Sequence, residues 1–440
     1  MRSEKLREKL NGIYEVALNL HFGEKQFFSG VKNYNPLVLF CVLSAVTGKN
    51  VLVYGDYGSG KTTACERIAS LVMSVPLEFI QASTIHGHPE QTEEKIKATL
   101  DLGALEKEGR EVVRWRVTPF SPVVIVDEIN RLPAGKQNIL LNEVDRGVWS
   151  YRGSTLFLRK KPLFATVNYG DEGTSPLIPP LADRFDVAVE TGRVGVIGRR
   201  KIRAGVDDSF LRHPDFAEEM VERVLEINDR SAEEYVRKKA EEFSSILNER
   251  FEKMGIQVET LTPAEVDRIG EEIGKVELTA DAEMFLDYFS QEVYCQMTTK
   301  KDFSRCDGCH YSSFACSDVG VFSGRAEISV VSLSRALSWL EGEDECSLGK
   351  VLKVIPYCLW HRSRLNPARA IDVRDIEKDE CDELFAFKEV VEEVARRWDE
   401  HRDYQIEAYR ALIEKDTETL EKIGERVSHP LFKSLVRWVE

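Results

Sequence analysis

Residues 51–63, Val-Leu-Val-Tyr-Gly-Asp-Tyr-Gly-Ser-Gly-Lys-Thr-Thr, constrain this chain more than any other stretch. A short apolar run reads as a buried parallel strand and ends at Gly55. The spacing G-x-x-x-x-G-K-T then sets Gly55, Gly60, Lys61 and Thr62 in the order a phosphate cradle requires. Glycines let the backbone turn sharply and aim its N–H groups at phosphate oxygens. The lysine adds a mobile positive charge, and the Thr62 hydroxyl can ligate Mg²⁺. The following helix, Thr62 to about Met73, points its positive end at the same anion. Gly55, Asp56, Tyr57, Gly58, Ser59, Gly60, Lys61, Thr62 and Thr63 are therefore the candidate nucleotide cradle.

A cradle of this kind needs acidic partners at the ends of neighbouring strands. Pro122–Glu128, Pro-Val-Val-Ile-Val-Asp-Glu, reads as a strand buried on both faces. It delivers Asp127 and Glu128 to its C-terminal end, where ligands bind in open α/β sheets. Asp127 can hold Mg²⁺ with Thr62, and Glu128 can orient or deprotonate an attacking water. Pro162–Val167 is another buried strand and ends at Asn168. That side chain can reach the same water or the γ-phosphate, or it can cap a turn. Arg184, before a last strand at Val187–Glu190, suits a surface ion pair or a finger reaching a neighbour's nucleotide.

The segments between are expected to be Leu77–Ala82 as second strand, residues 91–106 as helix and Arg110–Thr118 as a strand. Helix is expected again over Asn138–Val144, with a hairpin turning at Arg152-Gly153-Ser154. Residues 4–22 and Leu37–Thr47 read as helices, the second opened by Asn35-Pro36. Residues 216–254 read as helical. Ser231 with Glu234, and Thr262 with Glu265, carry the capping-box spacing. The basic run at 198–203 reads as a solvated turn.

The motif set resembles the MoxR group of AAA+ ATPases. It comprises the cradle at 55–62, the run Asp127-Glu128-Ile129-Asn130-Arg131, Asn168 and Asp183-Arg184-Phe185. Residues 101–120 and 146–160 fall where that group carries its two inserted hairpins. Ser323-Gly324-Arg325-Ala326 is similar to the tetrapeptide that opens its lid helix, with Gly for Pro. The resemblance implies ATP and Mg²⁺ as ligands. It assigns Lys61, Thr62 and Asp127 to MgATP, Glu128 to catalysis, Asn168 to the first sensor, Arg184 to a finger in trans and Arg325 to the second sensor. Arg335 is a weaker rival to Arg325. It implies a ring, hexameric in the family, and a protein client with a von Willebrand factor A-type partner. The expected fold is an α/β, P-loop AAA+ domain with a parallel sheet, followed by an all-α lid and a helical insertion. The boundaries fall at 1–195 for the nucleotide domain, 196–290 for the insertion, 291–320 for a cysteine module, 321–375 for the lid and 376–440 for C-terminal helices.

The cysteine module departs from that pattern. Cys295, Cys306, Cys309 and Cys316 lie within 22 residues at C-x₁₀-C-x₂-C-x₆-C. One tight pair with wide arms looks like the loop that holds a four-iron cluster in some DNA-repair glycosylases, so the expected metal is Fe–S or Zn, with Fe–S slightly favoured. Tyr294, Phe303, Tyr311 and Phe314 are the expected apolar shell, with His310 a bystander. The nine cysteines and the charged start, Met-Arg-Ser-Glu-Lys, suggest a reducing cytoplasm rather than export. A net charge of −15 argues against broad nucleic-acid affinity. A nucleic-acid-stimulated motor nevertheless stands as the alternative, because related hairpins line the pore of helicases. No apolar run approaches the ~20 residues that span a bilayer.

Overall fold

The computed structural model describes every residue except 1, 22, 24, 170–176, 193, 299–301, 307, 321, 375, 377, 379 and 440. The chain divides into two compact units, Met1–Val276 with Trp339–Glu343, and Glu277–Ser338 with Asp344–Glu440.

The first unit is built on a five-stranded sheet. Its strands are β1 (Val51–Gly55), β2 (Ile85–His86), β3 (Val124–Asp127), β4 (Leu163–Asn168) and β5 (Val187–Glu190), in the order β5-β1-β4-β3-β2. Every pairing is parallel. Val51–Val53, Val124–Val126 and Leu163–Ala165 are all buried, the continuous apolar pattern that a sheet covered on both faces demands. Helix Pro36–Thr47 is buried from Pro36 to Val46. Asn35 caps it, accepting from Val38 N at 3.0 Å, and left-handed Gly48 ends it, as expected.

Two expectations fail beside the sheet. Leu77–Ser83 is a helix, and the second strand is the short Ile85–His86. The buried residues Leu77, Ile80 and Ser83 step at three, while Gln81, which a strand would turn inward beside Leu77 and Phe79, is exposed. The helix expected over 91–106 is broken after Ile96. Ala98–Leu100 pairs antiparallel with Val113–Trp115 around a short helix, Leu102–Glu108. Lys97 marks the break, its ammonium buried against Glu143 at 2.7 Å. The second hairpin, Val148–Tyr151 with Ser154–Phe157, forms as expected. Arg152 and Gly153 both adopt the positive φ of a tight hairpin turn.

The helices Pro214–Ile227, Ser231–Lys253 and Pro263–Ile273 belong to this unit. The helical stretch expected over 216–254 forms as two helices that part at Asn228, whose backbone is left-handed. Its side-chain amide pairs with both backbone groups of Trp115 at 2.9 Å, completing the edge of the inserted ribbon. Ser231 does not cap; Asp229 accepts from its N–H at 2.8 Å instead. The Thr262–Glu265 box is complete, with bonds of 3.0 and 3.3 Å. The basic run lies on an exposed helix, Val196–Ala204, rather than a turn.

Among its described residues, the regular elements of the second unit are helices, apart from a two-residue strand pair and a lone bridge between Val319 and Leu365. Its core joins Phe285 and Phe289 of helix Ala280–Val293 to Phe387, Val391, Val394 and Trp398 of helix Asp382–Glu414. Phe285 meets Trp398 edge-on at 5.8 Å. The apolar face of the long helix is thus spent on packing inside its own unit, against Ala280–Val293 and Leu348–Leu359. A smaller core, Ala408, Ala411, Leu420, Ile423, Val427 and Phe432, closes the C-terminal hairpin of helices. No helix among the described residues is long and apolar enough to cross a membrane.

Candidate functional site

Parallel pairing brings the C-terminal ends of the strands together. Asn168 stands opposite Gly55, and Asp127 opposite His86. At this edge the loop after β1 turns through left-handed Gly58 and Gly60 into helix Lys61–Met73. No side chain caps that helix, so its first N–H groups stay available to an anion. Gly55 has no room for a side chain: a Cβ there would lie 2.2 Å from Thr191 Oγ1. Asp56, Tyr57 and Thr63 are exposed, while the Ser59 hydroxyl is buried without a partner.

Lys61 is buried. Its ammonium donates to the carbonyls of Gly55 and Asp56 at 2.9 and 2.8 Å, folding back over the loop. Burial pushes its pKa down, against the opposing pull of Asp127, Glu128 and Asp56. The acidic groups form one chain of contacts. Thr62 Oγ1 donates to Asp127 Oδ1. Thr166 Oγ1 donates to the same oxygen at 2.8 Å and accepts from Glu128 N at 2.8 Å. The Asn168 amide donates to Glu128 Oε1. Arg131 Nε lies 3.0 Å from Glu128 Oε2. Hard oxygen donors from Thr62 and Asp127 fit Mg²⁺, and a carboxylate one residue on suits work on a water at the phosphate.

Sequence reasoning missed several members of this site. Thr166 lies two residues before Asn168 and so on the same face of β4. His86 Nδ1 approaches Asp127 Oδ2 at 3.5 Å. Gly87 donates its N–H to Asp127 O at 2.7 Å, and a Cβ on it would sit 2.1 Å from Glu128 O. Glu66, buried one turn beyond the loop, has its pKa raised by burial despite the Gln81 amide at 3.3 Å. The wrong strand assignment at 77–82 hid both His86 and Gly87.

Arg184 is not brought to this edge. Its carbonyl accepts from Asn50 Nδ2 at 3.0 Å, and its guanidinium lies 3.6 Å from Asp145. Asn50 precedes β1, so Arg184 sits at the opposite end of the sheet, a strand length of about 16 Å at ~3.3 Å per residue. Its Nε is buried without a partner. Arg325 belongs to the second unit, exposed in the first turn of helix Gly324–Glu341, while Arg335 Nε is buried.

The four cysteines line one cavity of about 500 Å³ in the second unit. Cys316 is buried and the other three are half-exposed. Tyr311 and His310 line the same cavity. Tyr294, 60% exposed, is not part of an apolar shell. Among the described residues, no three His, Cys, Asp or Glu side chains converge closely enough to hold a single metal ion.

Residues 51–193 match the family model described as ATPase family associated with various cellular activities (AAA), and residues 313–380 match an AAA lid domain. Magnesium-chelatase subunit ChlI of Cyanophora paradoxa is 21% identical over 390 residues, covering 78% of this chain and 92% of that protein. A ChlI homolog from Methanocaldococcus jannaschii is 20% identical over 375 residues, covering 77% and 86%. Among solved structures, a candidate ATPase from Cytophaga hutchinsonii superimposes with a TM-score of 0.60 at 17% identity, over 90% of this chain and 95% of that one.

Proposed function

We propose that this chain, an AAA+ ATP hydrolase with a lid domain, works in a ring of copies and uses ATP turnover to remodel a protein client in the manner of the MoxR group. In this reading Lys61 and the loop N–H groups bind the β- and γ-phosphates, and Thr62 with Asp127 holds Mg²⁺. Glu128 aligns the water, and Asn168 and Arg325 sense the γ-phosphate. The observation that carries it is the unbroken chain Thr62–Asp127–Thr166–Glu128–Asn168 at one strand edge. It couples the metal ligands to the water-aligning group, as hydrolysis requires and mere nucleotide binding does not. Arg184 lies too far from its own loop to act there, which suits a finger acting on a neighbour and so a ring. The relatives named as magnesium-chelatase subunits are parts of larger assemblies, in keeping with action on a partner protein; a von Willebrand factor A-type protein is the candidate. The four-cysteine loop is read as a metal centre.

The test is ATP turnover per chain against chain concentration, with native mass measured in the same samples. Turnover should rise as a ring-sized species forms. Full turnover by a monomer would remove the ring and the finger together.

A second reading, a nucleic-acid-stimulated motor, draws on the exposed basic helix carrying Arg199, Arg200, Lys201 and Arg203. Stimulation of turnover by DNA at physiological salt, absent with candidate protein partners, would favour it.

A further inference from the structure

We propose that Cys295, Cys306, Cys309 and Cys316 hold a [4Fe–4S] cluster. The inference does not rest on ATP hydrolysis. The thiols come from four separate points of the loop yet face one cavity of about 500 Å³. By contrast, Cys41, Cys65, Cys346 and Cys358 are fully buried as core residues.

The backbone there is a run of tight turns. Cys306 N donates to Phe303 O at 3.0 Å, Cys309 N to Cys306 O at 3.1 Å, Ser312 N to Cys309 O at 3.0 Å, and Ser317 N to Phe314 O at 2.9 Å. Gly308, at φ 79, takes the left-handed corner that brings Cys306 and Cys309 to one side. Between 295 and 318, Ala315 and Cys316 are the buried ones among the described residues. So little apolar burial does not offset an ordering cost of about 1–2 kcal/mol per residue. Metal–thiolate bonds supply what the missing core does not.

The spacing of the cysteines points to the metal. A single tetrahedral zinc needs its sulfurs ~2.3 Å from one point, hence about 3.8 Å apart. Here one close pair, Cys306 and Cys309, is flanked by arms of ten and six residues, rather than the two close pairs usual for structural zinc. Arg305 on the wall offers positive charge to the net-negative cluster. The innermost ligand is anchored from the core. Cys316 follows Ala315, whose N–H donates to Glu292 Oε2 at 3.4 Å. Glu292 is fully buried and held by Arg397 at 2.6 and 2.9 Å. Phe314 lies edge-on to His429 at 5.3 Å, linking the loop to the C-terminal helices.

The experiment is anaerobic purification of the full chain, with assays for iron, acid-labile sulfide and zinc, followed by reconstitution with ferrous iron and sulfide. The expected result is brown protein with about four irons and four sulfides per chain and visible absorption bleached by dithionite. Cys309→Ser should lose at least half the iron, while Cys381→Ser, outside the cavity, should keep it. Nucleotide binding by the first unit, together with circular dichroism, reports that each variant is folded. One zinc per chain without iron overturns the proposal. So does a chain that takes up no iron on reconstitution, or equal iron loss in Cys381→Ser.

Discussion

The side-chain amide of Asn168 donates to Glu128 Oε1 across the ends of two neighbouring strands, so β4 holds the carboxylate that β3 presents. Glu128 itself takes a left-handed backbone at φ 51, ψ 53, uncommon for a residue with a Cβ. Thr166 fixes that turn through the Glu128 N–H at 2.8 Å. Strain of this kind persists where the surroundings over-determine a functional residue. Glu128→Gln should therefore bind ATP as the parent does and lose turnover by about 10²-fold or more, the usual worth of general-base help. Equal turnover in a steady-state phosphate assay would remove Glu128 from the role.

Gly87 offers a separate handle on the same carboxylate. A Cβ at this position would lie 2.1 Å from Glu128 O and 2.8 Å from Asp127 O, both backbone atoms that cannot rotate away. Gly87→Ala must push β2 from β3 or shift the Asp127–Glu128 peptide. Turnover should fall at least about tenfold, since small misplacements of reacting groups are costly. Nucleotide binding at Lys61, on the far side of β4 from β2, should change less. A variant with parental turnover would show that the turn at Glu128 tolerates movement.

Lys61 donates to two loop carbonyls of its own chain, at 2.9 and 2.8 Å. Phosphate must compete for these hydrogens, and it wins by charge. Lys61→Ala should weaken ATP binding by about ten- to a hundredfold, the 1.5–3 kcal/mol of a charged hydrogen bond. Titration with a fluorescent ATP analogue checks this; unchanged affinity would place the phosphates elsewhere.

Some of this site was legible in the sequence for a physical reason. A phosphate loop and a buried strand ending in two acids are local patterns, and Gly55, Lys61, Thr62, Asp127, Glu128 and Asn168 converge because parallel strands align their ends. Thr166, His86 and Gly87 are placed by register between strands far apart in the chain, which no local period encodes. The helix at Leu77–Ser83 fell to a run whose apolar residues suit either period. The ribbon strand Ala98–Leu100 fell to its dependence on Lys97, whose partner Glu143 lies 46 residues away.

Arg184 provides a test that separates neighbours. It sits at the end of the sheet away from its own loop, beside Asp145 at 3.6 Å, with Nε buried and unpartnered. Arg184→Ala should keep nucleotide affinity and lower turnover by about 10³-fold, as finger losses do. Mixing it with Lys61→Ala chains, at ATP concentrations too low to load them, should restore part of the activity, because some sites would pair an intact loop with an intact finger. No recovery in the mixture, with co-assembly shown by native mass, would confine Arg184 to its ion pair.

The buried network of the second unit makes its stability sensitive to acid. His429 stacks on Tyr288 at 3.8 Å and is fully buried. Burial holds its pKa below the usual value, more than the neighbouring Glu292 raises it. His401, bonded to the Tyr288 hydroxyl at 2.8 Å, is shifted the same way by burial. As pH falls below about 6.5, an unfolded chain takes up protons that these folded imidazoles resist, so stability drops. Glu292 adds a second stage. Burial alone would raise its pKa, but the two Arg397 bonds outweigh that and hold it low. Its contribution is complete above about 4.5 and is lost as pH falls through the folded value. Thermal unfolding of the second unit should therefore shift down between pH 7.5 and 5, then more steeply below about 4.5. His429→Phe keeps a ring against Tyr288 and removes one titrating group, so its melting temperature should fall less over the first interval while the second stage remains. Identical slopes for parent and variant would mean that His429 protonates freely when folded, and that the packing around Glu292 is open to water.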